Sequence, residues 1–140
     1  PDYIEYFMPL NDASGEILGV DGNGNLTGAN SPLKIVNPNG TSYAGVFIQG
    51  DQALCKIVTA NKNGRKILLI KESYGNCFAP FLTENYEEIY ILDPRKDGVK
   101  NMSLPSFIQN QGINEVLVLN YTLATSNKYF KEPLTNIINK

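Results

Sequence analysis

The chain is 140 residues long, 42% hydrophobic, with a formal net charge of −2 and a pI near 5.1; this suits one domain with a sizeable core and leaves no basic stripe for a nucleic-acid partner. It contains no histidine, so it cannot by itself complete a serine–histidine hydrolase site. No apolar run approaches the roughly 18 to 20 residues of a membrane span, and PDYIEYFMPL has neither a basic region nor a cleavage site. The chain therefore reads as soluble, and Pro1 in place of an initiating methionine reads as processing, trimming or a fragment of something longer.

In chain order, the first sixty residues predict short strands at YIEYFM, EILGV, YAGVFIQ and ALCKIVTA. The clusters NDASG, DGNGN, NSP and NPNG separate them, with Gly, Asn and Pro where turns require them. Residues 1–62 thus form a predicted β-rich portion. From Arg65 onward the runs KILLI, EIYIL and EVLVL recur, and their continuous hydrophobicity is that of strands buried on both faces. The connections between them are long enough for helical crossovers, so residues 63–140 predict parallel strands in a βαβαβ unit followed by a last helix. Helices are expected over residues 74–85, over 104–110 with Gly112 as the stop, and over 133–139 with Pro133 in the first turn. The fold class is α/β with a parallel sheet.

In such a sheet, ligands bind outside the carboxyl ends of the strands. Those ends carry Lys71, Glu72 and Ser73 after KILLI, Asp93 and Arg95 after EIYIL, and Asn120 and Tyr121 after EVLVL. Ser73 is the sharpest candidate nucleophile. A serine on a tight strand-to-helix turn exposes its hydroxyl beside free helix N–H groups, here those of Tyr74 and Gly75, which can hold an oxyanion. The same serine can instead N-cap the helix it precedes, and the two roles can coexist. Asn120 can donate to an oxyanion or satisfy its own turn; Asp93, before Pro94, is a ligand-contact candidate that also reads as a turn start. Arg95 either clamps an anionic ligand or is solvated. Glu72 is expected to point away from Ser73, leaving no direct proton relay between them. Lys71 is the nearby lysine that strong desolvation could turn into a base.

Cys55 and Cys77 lie in no CxxC or Cys/His cluster, so no metal is expected; free buried thiols are the first reading and a mutual disulfide the alternative. Gly19, Gly22, Gly24 and Gly28 form no GxGxxG between strand and helix, and no GxxxxGK[ST] occurs, so no nucleotide cofactor is expected. Glu84, Glu87 and Glu88 read as the exposed end of a helix. The sequons at Asn25, Asn39, Asn101 and Asn120 carry little weight in so asparagine-rich a chain.

Residues 65–95, RKILLIKESYGNCFAPFLTENYEEIYILDPR, with the flanking YAGVFIQGDQ and GINEVLVLNYT, closely resemble the C-terminal part of the DHHW family of bacterial surface proteins. That family looks like a relative of SGNH-hydrolase-like domains that handle O-acetyl groups on bacterial polysaccharides. The resemblance implies a three-layer α/β sandwich of flavodoxin-like or SGNH-like type, Ser73 in the nucleophile position, a polysaccharide or acylated glycan as partner, and an extracellular or cell-surface location. In the family, the Asp and His partners come from the DHHW tetrapeptide upstream of the serine block. That motif is absent here, and Glu72 stands where the family has Asp. The leading expectation is therefore the C-terminal segment of an SGNH-like esterase or O-acetyl-transfer surface protein, catalytically incomplete without an upstream segment. The rival is a non-catalytic glycan- or protein-binding module that uses Asn120, Tyr121 and Arg95. A third reading is a half-domain that forms a homo-oligomer through an open sheet edge.

Overall fold

Side chains of a β-strand alternate between two faces, so a strand that is apolar throughout needs cover on both. In a computed structural model of the chain, which describes residues 3–126 and 128–140, the apolar runs lie at the centre of such a sheet. The described strands are β1 (Ala13–Val20), β2 (Leu26–Leu33), β3 (Leu54–Thr59), β4 (Lys66–Lys71), β5 (Glu88–Leu92) and β6 (Glu115–Leu119). They form one sheet in the order β2-β1-β3-β5-β4-β6. As expected, β4 runs parallel to both β5 and β6, with Ile70 opposite Leu92 and Lys71 opposite Leu119.

The remaining pairings, β1 with β2, β1 with β3 and β3 with β5, are antiparallel. The sheet is thus mixed rather than wholly parallel. The physical reason is the length of the connections: residues 21–25 and 60–65 are too few for a crossover, so each forces the chain to reverse. The N-terminal portion and the βαβ portion share this one sheet through the β3–β5 ladder.

Three helices are described: α1 (Tyr43–Val46), α2 (Leu104–Gln111) and α3 (Lys128–Ile138). Cys55, Ile57, Leu69, Ile89 and Ile91 face one core with Leu82 and Phe47. Leu54, Leu68, Ile70, Tyr90 and Leu92 face a second core with Phe107 and Phe130. Adjacent residues thus fall in different cores, as alternation requires, and both faces of the central strands are covered.

Several local expectations are corrected. Residues 3–8 form no strand, having no ladder partner. YAGV is a single helical turn, because the Ser42 hydroxyl accepts from the Gly45 amide at 3.1 Å and caps it. β2 was hidden by its composition: LTGANSPL is exposed except at Leu33, and it is held by backbone pairing to β1 with two register shifts. Its Pro32 is tolerated because β2 is an edge strand. The expected helix over residues 74–85 is two tighter 3₁₀ segments, Ser73–Asn76 and Ala79–Glu84. α2 matches its expected span, and Gly112 ends it at φ 64°. α3 starts five residues before Pro133, which lies inside it. The stripe of Phe130, Leu134 and Ile137 against the second core carries the helix through the proline. Glu84, Glu87 and Glu88 do not share a helix end: Glu84 accepts from the Leu10 amide, and Glu88 pairs with Lys56 and Lys66. Finally, β6 lies at the sheet edge, and its Val116 and Val118 are about half exposed rather than buried.

Candidate functional site

The parallel register places Lys71, Leu92 and Leu119 at one edge of the sheet, so the segments that follow them converge. Lys71 is fully buried, with Nζ 3.1 Å from Asp51 Oδ1 and 3.7 Å from Asp93 Oδ2. Asp93 is fully buried as well. Its Oδ1 accepts from Arg95 Nε at 2.8 Å and its Oδ2 from an Arg95 terminal nitrogen at 2.6 Å. That same Arg95 nitrogen reaches Asp51 Oδ2 at 2.9 Å. Two cations and two carboxylates therefore close a compact, mutually neutralising quartet. Burial raises the Asp51 pKa, but the charge and hydrogen bond of Lys71, the Asn76 amide and Arg95 together hold it below its ordinary value. The hydrogen bond to Asp93 pushes the Arg95 pKa up.

The quartet contacts the turn that Ser73 begins. Asn76, the last residue of the 3₁₀ turn that Ser73 begins, donates its side-chain amide to Asp51 Oδ1 at 3.0 Å. Gly75 lies on the Lys71 stem so closely that a Cβ there would be 2.5 Å from Lys71 Cβ. Only glycine lets the turn sit down on the buried lysine.

Ser73 is half-buried. The cap of its turn is Glu72, not Ser73: Glu72 Oε2 accepts from the Tyr74 amide at 3.1 Å. Contrary to expectation, Glu72 also faces Ser73, whose hydroxyl donates to the same Oε2, but at 3.4 Å the contact is longer than a strong O–H···O bond. The Gly75 amide is taken by Glu72 O at 2.9 Å. With both turn amides engaged, Asn120 remains as a candidate oxyanion donor; it follows β6 beside this turn and its side chain has no hydrogen bond among the described residues. The Tyr74 and Tyr121 rings meet with centroids 5.7 Å apart, tying the two segments together.

Arg95 is exposed to solvent, but two carboxylates already hold its guanidinium. Asp93 does start a turn, accepting from the Arg95 amide at 3.1 Å, in addition to its ion pairs. Lys71 is committed to carboxylates. Both cysteines are free, Cys55 buried and Cys77 partly so, and burial pushes the Cys55 thiol up to about 12. Among the described residues no His/Cys/Asp/Glu group could hold a metal ion. Glu72 Oε1 and Asn76 Oδ1 are buried with no hydrogen-bond partner among the described residues, an arrangement that costs about 1–3 kcal/mol per group.

Sequence reasoning missed Asp51 and Asn76. Nothing local in the sequence announces a pairing across 20 to 44 residues. A backbone oddity does precede Asp51: Ile48, Gln49 and Gly50 all have positive φ, at 45°, 53° and 83°. For a β-branched residue such as Ile48 this is strained, and its complete burial holds it there.

The α/β sheet, with a serine-bearing turn at the end of a central strand over a partly buried ion quartet, defines the class. The family model for DHHW protein matches residues 12–92, more than half of the chain, so the chain belongs to the DHHW family. The crystal structure of a DHHW family protein from Eubacterium siraeum is similar, with a TM-score of 0.77 and 30% identity, covering 96% of this chain and 44% of that one. The structure of Bacillus cereus PatB1 with sulfonyl adduct has a TM-score of 0.65 and 24% identity, covering 90% of this chain and 44% of PatB1. The 140 residues thus span less than half the length of these solved structures. Among curated proteins there was no match.

Proposed function

We propose that these residues are the nucleophile-bearing part of an SGNH-like, three-layer acyl-ester hydrolase or O-acetyl transferase of the bacterial surface, acting on acylated polysaccharide, with its general base supplied from outside them. The observation that carries the reading is the place of Ser73: at the carboxyl end of β4, in the first position of a turn that is hydrogen-bonded to Asp51 and packed on Lys71. Preorganisation of this kind is what a nucleophile needs. The sulfonyl adduct of PatB1, a fold neighbour, is in keeping with a reactive centre in this fold.

In the reaction, Ser73 Oγ adds to the ester carbonyl while its proton passes to the base. The tetrahedral oxyanion collapses, the alcohol leaves with that proton, and water or a second sugar hydroxyl takes the acyl group from Ser73. Asn120 would donate to the oxyanion. Lys71, locked in its ion pairs, is not a suitable base. The open edge of β6, with Val116 and Val118 exposed, is where further protein would extend the sheet beside Ser73.

A second reading, a non-catalytic binding module, draws on the engaged amides of Tyr74 and Gly75, which leave the turn short of oxyanion donors. Hydrolysis of 4-nitrophenyl acetate by the chain, Ser73→Ala and Lys71→Met tests whether the base lies outside these residues or is Lys71. Equal background rates in all three are expected. A rate lost in both variants, each shown folded by circular dichroism, would instead establish a serine–lysine dyad and overturn the proposal.

A further inference from the structure

A groove of about 520 Å³ lies between the β1–β2 turn and one side of α2, a size within the roughly 300–1,000 Å³ of small-molecule sites. It uses none of residues 71–76 or 93–95, so its role is independent of the Ser73 reading. Along α2 and its cap, Ser103, Ser106, Phe107 and Asn110 line it at spacings of three, four and seven, which is one helix face. Asn23, Asn25 and Leu26 line it from the turn.

The groove is built in advance of any ligand. Gly24 has φ 88°, and a Cβ there would collide with the Asn101 carbonyl, so only glycine lets the turn seat against the segment leading into α2. Asn101 Nδ2 donates to Gly22 O at 2.8 Å across the same contact. The Asp21 carboxylate gathers the Asn23 and Asn25 amides at 2.9 and 2.8 Å and fixes the turn. The Tyr90 hydroxyl lies 3.1 Å from Gln111 Oε1, which orients that side-chain amide.

The lining is selective in its chemistry. It includes no carboxylate, which disfavours a cation. Lys140 lines it too, but its Nζ already donates to Lys100 O at 2.8 Å and Asn101 Oδ1 at 3.2 Å, which weakens any call on an anion. The side-chain amides of Asn23 and Asn110 have no hydrogen bond among the described residues. A primary amide presents donor and acceptor together, which matches a pair of neighbouring hydroxyls, and Leu26 offers an apolar surface beside them. We propose that this groove binds a neutral saccharide, its hydroxyls paired with Asn23, Asn110 and Gln111 and its ring face against Leu26.

The test is a titration of the isotopically labelled chain with chitotriose, cellotriose and mannotriose, followed by the side-chain amide signals in NMR. At least one of the three sugars shifts the Asn23 and Asn110 amides, and Asn23→Ala combined with Asn110→Ala raises its Kd by about tenfold or more. Both positions are exposed, so the thermal midpoint stays unchanged. Absence of any shift with all three sugars would overturn the proposal. So would shifts confined to the Ser73 turn, or unchanged binding by the folded double variant.

Discussion

Asp93 and Lys71 are the residues on which the site edge rests, since both are fully buried and each neutralises the other with Asp51 and Arg95. Removing one partner of a buried pair leaves an uncompensated charge, at a cost of about 3–5 kcal/mol. Asp93→Ala should therefore lower unfolding stability by that amount in urea titrations, whereas a loss below about 1 kcal/mol would mean the quartet behaves as a surface pair. Asp51 adds a pH dependence of defined sign. Its folded pKa lies below its ordinary value of 3.8, so over that window the unfolded state binds more protons and stability rises with pH. The Asp51 contribution is complete above about pH 4 and disappears as pH falls through the depressed folded value. Glu88, whose burial is outweighed by Tyr90, Lys56 and Lys66, acts in the same direction. Urea midpoints between pH 5 and pH 2 should fall less steeply for Asp51→Asn than for the parent chain; identical slopes would contradict the pairing. Ser73 was legible as a candidate because a serine after an apolar run is visible in one stretch of sequence. Asp51 was not, because its partners are brought to it only by the fold.

Among the elements, the strands with continuous apolar runs were readable and those without were not. KILLI and EIYIL declared themselves because both faces are buried. β2, polar and rich in turn formers, is a strand only by virtue of its backbone pairing with β1. The link after β4 kept its place but not its form, since the capping Glu72, Gly75 over Lys71 and Pro80 at the head of the next segment favour short 3₁₀ turns over one continuous helix. EVLVL carries the signature of a doubly covered strand but has a free edge and half-exposed valines. Consequently, amide hydrogen exchange should be slowest in β4 and β5, while the non-laddered amides of β6 and β2 exchange orders of magnitude faster. Val118→Lys should change stability by no more than about 0.5 kcal/mol, as for an exposed position. Protected β6 edge amides in the isolated chain, lost on Val118→Lys, would instead point to self-association through that edge.

At the scale of the whole molecule, the chain belongs to the DHHW family and spans less than half of its solved relatives. It has no histidine, yet its serine turn is held by a partly buried polar network. If Ser73 is a positioned nucleophile lacking only its base, a base added from solution should restore its chemistry. Imidazole supplies such a base, titrating near neutrality. The decisive measurement is the initial rate of 4-nitrophenyl acetate hydrolysis against imidazole concentration, for the chain and for Ser73→Ala, with mass spectrometry of residue 73. The expected result is no difference between the two proteins without imidazole, and a difference that grows with its unprotonated form, accompanied by transient acetylation of Ser73. Superimposable rates at every imidazole concentration, with no acetyl group on Ser73, would contradict the nucleophile's role.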